Sequence, residues 1–264
     1  MLALYTWAVG QVRTFLGAFG QMVLYLIDVS TYIFRGKINW HQTVLQAGAI
    51  GADSLPVSVI ICLIAGSVLT LQTAKKFAMT GANAYIGGLV AIAIVREIGP
   101  IFTCLAVGAR AGTAIAAEIA NMSVSEQISA LQVMHVSPSR YLILPRLLGC
   151  MISIPLLTLI GEFVAIMGGM VLAQQVAHQH YSQFFESIWL NLTKHDLMVS
   201  MLKSVVFGIL IVGICCTIGL RTRGGAKDVG LATTRAAVWS TIAIIVADFA
   251  LSWIFFGTRF EQQY

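Results

Sequence analysis

The dipeptide Arg96-Glu97 is the feature of this chain best suited to chemistry, because it interrupts a long apolar stretch. On insertion scales a charged residue at the centre of a membrane-spanning helix costs about 2.5–3.5 kcal/mol, so such residues face the protein interior or a cavity. Neighbouring residues diverge by about 100° around a helix, so these two need not pair with each other. Other segments offer four possible partners for them: Lys203, Asp248, Glu162 and Arg235.

These charges allow a structural and a functional interpretation. A network of ion pairs could hold a helix bundle together, or the charges could line a path for an amphipathic substrate or couple the helices to one another. In a different class of protein, an ion-coupled secondary transporter, Glu97, Glu162 or Asp248 would be the proton or cation site. Inverted repeats would favour that class, and the sequence shows no visible self-similarity.

Motifs of membrane-embedded enzymes are absent from the sequence. It contains neither the G-x-S-x-G elbow of serine hydrolases nor the H-E-x-x-H of zinc proteases. Residues 224–228 include a lysine without the spacing of an ATP-binding P-loop, so any ATP is hydrolysed by a different chain. His178, His180 and Tyr181 lack further convergent ligands, which favours a solvated loop. We expect no catalytic residue, cofactor or metal in this chain.

The composition indicates a membrane protein. Hydrophobic residues make up 58% of the 264 residues and charged residues only 10%, with a mean hydropathy of +0.86. Soluble domains average about 45–50% apolar and about 25% charged residues. So few charges cannot cover a water-facing surface, and the solvent that fits is lipid. The five cysteines lie in apolar stretches and are expected to behave as small buried hydrophobes.

Five apolar stretches are long enough to cross a bilayer, which takes about 20 residues, and they predict an all-α integral membrane protein. Pro100, Pro145 and Pro155 lie in the second and third stretches, where neighbouring helices can satisfy the freed backbone groups. The N-terminal segment 5–34 carries aromatic and charged residues and is expected to lie in the membrane interface. The five predicted spans are 47–71, 84–117, 141–173, 202–220 and 236–256.

Lysine and arginine counts predict the orientation of the spans. The N-terminal side and the connections after the second and fourth spans hold nine basic residues against four, so they are expected in the cytoplasm. The densest basic group lies between two apolar runs, so the net charge of +5 does not indicate nucleic acid. The nine are Arg13, Arg35, Lys37, Arg140, Arg146, Arg221, Arg223, Lys227 and Arg235; the four are Lys75, Lys76, Lys194 and Arg259.

The connection after the second span contains a helix signal. Ser123 and Glu126 match the S-x-x-E capping box, in which two side chains satisfy free backbone amides reciprocally. A helix of about three turns is predicted from there, either on the membrane surface or as a docking element. Small residues over 108–117 precede it and favour close helix packing. The apolar residues at near-helical spacing are Val124, Ile128, Leu131 and Met134.

A series of motifs spread over the chain resembles the MlaE family. The series includes V-R-E-I-G-P-I from Val95, G-A-R-A-G-T-A-I-A-A-E-I from Gly108 and M-S-V-S-E-Q-I-S-A-L-Q-V-M from Met122. Later segments beginning at Lys203 and Ala232 continue it, so the resemblance runs from about residue 45 onward. One departure is Ser129, where many relatives carry Asp in E-Q-x-D-A-L.

The resemblance implies a fold and a set of partners. MlaE proteins are permease subunits of ABC transporters that move phospholipids between the inner and outer membranes of bacteria, with chloroplast relatives. A single permease domain over 1–264 is expected in the bacterial inner membrane, with an interfacial helix over 1–40 and five spanning helices over 45–264. The implied partners are a second copy of the chain, two cytoplasmic ATPase subunits that use ATP, a periplasmic ring of MCE-domain proteins and, in some systems, a STAS-domain protein.

The resemblance also implies roles for particular residues. The dimer would enclose an outward-opening lipid cavity, with walls that include Leu69, Gln72 and Phe77. Matching charged positions are candidates for a charge network or headgroup environment: Arg96, Glu97, Lys203, Arg235 and Asp248. The predicted helix over 123–135 resembles the coupling helix that docks into the ATPase, with candidate residues Ser123, Glu126, Gln127, Ile128, Leu131 and Met134.

Overall fold

The computed structural model describes residues 2–36, 38–80 and 85–257, and the side chains of 17, 19–36, 38–77 and 85–257. Over these residues the chain is helical and contains no strand, which confirms the predicted all-α class. Three π-helical turns interrupt the helices, at Ile94–Ile98, Gly108–Gly112 and Ser139–Ile143. The α-helices are α1 Leu2–Phe34, α2 Trp40–Thr80, α3 Ile86–Ala93, α4 Gly99–Val107, α5 Thr113–Val124, α6 Gln127–Val133, α7 Leu144–Ala177, α8 Tyr181–Asn191, α9 Lys194–Arg221 and α10 Ala226–Phe256.

Five helical stretches are long and apolar enough to cross a membrane, and each overlaps one predicted span. They extend beyond the predicted limits because the helices continue through polar residues at their ends, as Lys194 shows at the start of α9. The loop at His178–Tyr181 is shorter than expected, because Tyr181 already begins α8. The five stretches are Trp40–Phe77, Ile86–Val124, Ser139–Ala177, Lys194–Arg221 and Ala226–Phe256.

The N-terminal segment is one continuous helix, α1, with a shorter apolar part at Phe19–Phe34. Met22 and Val29, two turns apart, are buried, whereas Phe34 is almost fully exposed. The helix is therefore confirmed, and its interfacial position stays a prediction. Lys37 and Arg259, used for the orientation, lie outside the described residues, as does the side chain of Arg13.

Two of the π-helical turns end two residues before a proline. Proline lacks an N–H, and its ring clashes with the carbonyl four residues earlier in an α-helix. In the wider turns the bonds run five residues back: Gly99 N–H donates to the Ile94 carbonyl, and Leu144 N–H to that of Ser139. The chain thus stays helical past Pro100 and Pro145. The first of these turns carries Arg96-Glu97.

The chain divides into two compact units, each made of three sequence ranges. The first unit comprises Met1–Ala47, Gly108–Gly149 and Ile209–Ile242, and the second comprises Gly48–Val107, Cys150–Gly208 and Ala243–Tyr264. The first unit holds the span ends that the lysine and arginine count places in the cytoplasm: Trp40, Val124, Ser139, Arg221 and Ala226.

Small residues bring helices close together within each unit, as small residues do in membrane bundles. In the second unit a Cβ on Gly66 of α2 would lie 2.5 Å from the Ala165 carbonyl oxygen of α7. In the first unit a Cβ on Gly112 would lie 3.1 Å from the Cys215 sulfur of α9. The packing interpretation of residues 108–117 is therefore confirmed. All five cysteines are free and buried, as predicted.

Replacing Gly66 with alanine is expected to destabilise the protein, because the new methyl group would meet the Ala165 backbone. Overpacking of this kind costs about 1–3 kcal/mol. The matched control is Gly48→Ala on the same helix, where a Cβ meets nothing within 4 Å. Thermal unfolding of both variants in detergent measures the effect. Equal unfolding temperatures would show that α2 and α7 do not need this close approach.

Candidate functional site

A fully buried lysine lies at the centre of a charge cluster in the second unit. Lys203 of α9 is 0% exposed, and its Nζ donates to Asp248 Oδ1 at 2.8 Å and to Glu97 Oε2 at 3.1 Å. The same nitrogen donates to the Arg96 carbonyl at 2.8 Å and to Ser252 Oγ at 2.7 Å. An ammonium has three N–H bonds for these four acceptors, so one bond is shared.

Backbone geometry explains why Lys203 reaches the Arg96 carbonyl. In an α-helix that carbonyl would accept from the residue four positions later, which is Pro100 and has no N–H. A buried carbonyl without a partner is costly, and the lysine supplies the missing donor. Because Pro100 has no N–H, it leaves the Arg96 carbonyl available to accept a hydrogen bond from the Lys203 ammonium.

Helix α10 supplies the other wall of the cluster. Asp248 and Ser252 are four residues apart, so they lie on one face of the helix. Ser252 accepts from Lys203 and donates to Glu97 Oε1 at 2.8 Å, which ties Glu97 to α10 as well. The Glu97 side chain is 42% exposed, whereas that of Asp248 is 12% exposed. One ammonium thus serves a buried and a half-exposed carboxylate.

Arg96 forms a second ion pair beside the first. Its Nε donates to Asp196 Oδ1 at 2.9 Å, and its guanidinium lies 4.4 Å from the centre of the Phe256 ring. Asp196 is buried and also accepts from the backbone N–H and the hydroxyl of Thr193. The Arg96 side chain is 35% exposed. It is therefore a cation held in a fixed orientation that still presents part of its surface.

Asp196 was not among the partners expected for Arg96, although a sequence signal for it exists. Thr193 and Asp196 have the T-x-x-D spacing of a capping box at the start of α9. The Thr193 N–H donates to Asp196 Oδ2 at 3.0 Å, and the Asp196 N–H donates to the Thr193 hydroxyl at 3.4 Å. The reciprocal cap that was expected at Ser123 and Glu126 is found here instead.

Two expected partners of Arg96-Glu97 lie elsewhere. Glu162 of α7 is buried and accepts a hydrogen bond from the Ser200 hydroxyl of α9, so it is not a partner of Arg96 or Glu97. It fits there because Gly99 has no side chain that would collide with it. Arg235 is exposed and belongs to the first unit. Among the described residues, the ion pairs of the cluster involve Asp196 and Lys203 instead.

The residues expected to line the lipid cavity lie along α2. Leu69 and Phe77 are partly buried and pack against an apolar cluster that includes Ile86 and Ile94. Gln72 is exposed. Ile94 begins the π-helical turn of Arg96 and Glu97, so this apolar cluster adjoins the charged turn along the chain. Whether the three α2 residues contact lipid stays a prediction.

The predicted coupling helix is shorter than expected. Helix α6 has seven residues and is bracketed by Glu126 and His135, both with left-handed backbone angles. Ser123 still belongs to α5, and its hydroxyl donates to the Thr222 carbonyl at 2.9 Å. The predicted capping box is wrong. The Ser123 hydroxyl donates to a carbonyl at the end of α9 and accepts no hydrogen bond from the first amides of α6.

The face of α6 that points outward also differs from the expected one. Ile128 is buried and Leu131 is partly buried, so the predicted apolar stripe faces the protein in part. Val133 and Met134 are 78% and 63% exposed, and Gln127 is exposed as well. A surface that could dock a partner is therefore centred on the end of α6.

The cysteine, histidine and carboxylate side chains do not converge on a metal centre in the described part of the chain. No group of three or more of them there could hold a metal ion. His178 and His180 are both exposed beside α8. The ion pairs of the charge cluster can orient helices and can present the Arg96 cation to an anionic group.

Replacing Lys203 with methionine is expected to lower the free energy of unfolding by about 3–5 kcal/mol, because it leaves buried Asp248 without its cation. Adding Asp248→Asn should recover part of the loss, since the unpaired charge is then removed. Lys194→Met, at an exposed lysine on the same helix, is the control. Unfolding in detergent is measured for the unsubstituted protein, Lys203→Met, Asp248→Asn, the double variant and Lys194→Met. A double variant as unstable as the sum of its single changes would contradict the pairing.

Comparisons with known proteins agree with the fold. The family model described as Permease MlaE matches residues 43–254. A probable ABC transporter permease protein of Synechocystis is 37% identical over 87% of this chain and 87% of its own length. The chloroplastic protein TRIGALACTOSYLDIACYLGLYCEROL 1 of Arabidopsis thaliana is 38% identical over 85% of this chain and 64% of its own length. A probable ABC transporter permease protein of Rickettsia felis is 34% identical over 90% of this chain and 92% of its own length.

The family model covers nearly all of the five spans, and its range of residues 43–254 includes Arg96, Lys203 and Asp248 of the charge cluster. The family model and the Synechocystis and Rickettsia relatives are named as permeases, which fits a membrane subunit without a catalytic site of its own. The five apolar helices make the protein multi-pass. The chain belongs to the MlaE permease family.

Proposed function

We propose that this chain is the membrane subunit of an ABC-type transporter that moves glycerophospholipids between the inner and outer membranes of a bacterium. The observation that carries the proposal is Arg96, a partly exposed guanidinium fixed by Asp196 and Phe256 at the end of an apolar stretch. A phospholipid needs apolar walls for its tails and a cation for its phosphate. Arg96 would offer the cation, and the partly buried residues Leu69 and Phe77, which pack on the apolar cluster around Ile94, would offer the apolar walls.

The proposed transporter needs partners that supply energy and a path. Two copies of this chain would enclose the lipid cavity, with Leu69, Gln72 and Phe77 in its walls. Cytoplasmic ATPase subunits would bind and hydrolyse ATP, so this chain itself would use no cofactor. A ring of MCE-domain proteins would continue the path in the periplasm, and some systems would add a STAS-domain protein. Closure of the dimer would lower the lipid affinity of the cavity, which is a population shift driven by differential binding.

The buried parts of the cluster would have a different role from Arg96. Lys203 of α9 is fully buried and bonded to the Arg96-Glu97 turn and to α10, so it would fix the relative positions of these three segments. Glu97 is tied to both Lys203 and Ser252 yet remains 42% exposed. Glu97 would lower the electrostatic potential at the edge of the cavity, and its bonds would keep the π-helical turn that carries Arg96 in place.

Reconstitution of the complex between labelled donor and acceptor vesicles tests the function. Phospholipid transfer is expected to depend on ATP. In the Arg96→Gln variant the affinity for the lipid should fall roughly 10–100-fold, because a hydrogen bond to a charged group contributes about 1.5–3 kcal/mol. Transfer driven by a proton gradient and indifferent to ATP would overturn the proposal in favour of an ion-coupled carrier.

Asp196→Asn is the matched variant for that experiment. It removes the partner that holds Arg96 but leaves the guanidinium charge available to a phosphate. Lipid transfer should therefore fall less than in Arg96→Gln. An equal loss in both variants, at equal amounts of inserted protein, would mean that Arg96 only fastens α9 and does not contact the lipid.

The docking surface on α6 gives a second test. Val133→Asp is expected to reduce co-purification of the ATPase subunits, because Val133 is 78% exposed and a buried charge would disfavour the contact. Ser129→Asp on the same helix is the control, since it is exposed and many relatives carry Asp there. Both chains should insert equally into the membrane. Unchanged co-purification of Val133→Asp would show that α6 does not dock the ATPase.

A further inference from the structure

A cavity of about 280 Å³ lies in the first unit, and none of the residues that line it belongs to the charge cluster. Its walls come from the beginning of α2, the end of α5 and the start of the third span, where Gln42, Met122 and Tyr141 lie. Each of these three residues is close to the end of its span. At about 1.5 Å per residue, the cavity is within about 10 Å of the span ends, at the depth of lipid headgroups.

The cavity contains a buried arginine with an unpaired N–H. Arg146 is only 7% exposed, and its Nη1 donates to the Leu142 carbonyl at 2.9 Å. Its Nη2 donates to Glu118 Oε2 at 2.8 Å, whereas its buried Nε has no hydrogen-bond partner. Leaving a buried charged donor unpaired is costly, and native structures rarely do so without a ligand or water.

The geometry of the guanidinium specifies what would satisfy it. Nε and Nη2 form one edge, which a carboxylate or phosphate can accept with two oxygen atoms. Glu118 occupies only the Nη2 side of that edge, and its side chain is 61% exposed. A glutamate that is so exposed can leave the pair for water, so an incoming anion can displace it.

The remaining walls suit a small polar group with an apolar attachment. Gln42 and Gln46 offer amides and Tyr141 a hydroxyl, while Leu45 and Pro145 are apolar. Ligand pockets usually measure about 300–1,000 Å³, so this cavity has room for a headgroup but not for acyl chains. The sequence ranges of the first unit hold ten of the 16 basic residues and four of the 11 acidic ones, which favours an anion there.

We propose that this cavity binds a phosphate group through the Nε–Nη2 edge of Arg146, in exchange for Glu118. The phosphate would belong either to a phospholipid at the membrane surface or to a soluble phosphate. The site shares no residue with the Arg96 cluster and does not depend on the proposed transport function.

Two substitutions change the anion affinity in opposite directions without touching Arg146. Glu118→Gln removes the competing carboxylate, so phosphate affinity should rise at least threefold. Gln46→Glu places a carboxylate in the wall, so the affinity should fall at least tenfold. Gln175→Glu, at an exposed glutamine of α7 in the second unit, is the matched control and should change nothing. A gain of affinity in Glu118→Gln cannot come from misfolding.

The measurement uses the purified full chain, stripped of lipid in an uncharged detergent. Native mass spectrometry compares binding of phosphatidylglycerol with that of diacylglycerol, which has the same tails and no phosphate. Calorimetry measures inorganic phosphate. The variant pattern with phosphatidylglycerol alone identifies a lipid site, and the same pattern with inorganic phosphate identifies a soluble ligand. Two results would overturn the proposal: affinities for phosphatidylglycerol and inorganic phosphate that both stay within twofold for every variant, or diacylglycerol bound as tightly as phosphatidylglycerol with no binding of inorganic phosphate.

Discussion

The buried ammonium of Lys203 is the interaction on which the second unit depends. It reaches a carbonyl and a carboxylate of the Arg96-Glu97 turn and a carboxylate and a hydroxyl of α10, so one atom joins three spans. Taking a charge out of water costs several kcal/mol, and only close, well-formed partners compensate for it. The helices that carry these partners are therefore held in one arrangement.

The π-helical turn before Pro100 makes that arrangement possible. It keeps the chain helical through a residue without an N–H, and it leaves the Arg96 carbonyl for Lys203. The two charged side chains then diverge, Glu97 toward Lys203 and Arg96 toward Asp196. π-Helical turns are often found at functional sites, and here the turn separates a structural charge from one that can meet a ligand.

The structure shows the ion-pair network among the intramembrane charges, and their contact with a substrate stays a proposal. Lys203 and Asp248 form a structural ion pair, because both are buried and bonded to each other. Arg96 keeps an exposed surface that suits a headgroup. Arg146 in the first unit also has hydrogen-bonding capacity left for a ligand, because its buried Nε donates no hydrogen bond. Charge holds helices together at Lys203, and we propose that it recognises anions at Arg96 and Arg146.

The sequence alone determined the membrane class, the five spans and the importance of Arg96, Glu97, Lys203 and Asp248, because long apolar runs and charges within them are local signals. Only the tertiary structure decided which charges pair. Asp196 replaced Glu162 as a partner, and Ser123 bonded to the end of α9 instead of capping α6. Pairing depends on which helix faces meet and at what height, and that follows from close packing at residues such as Gly66 and Gly99, far apart in the chain.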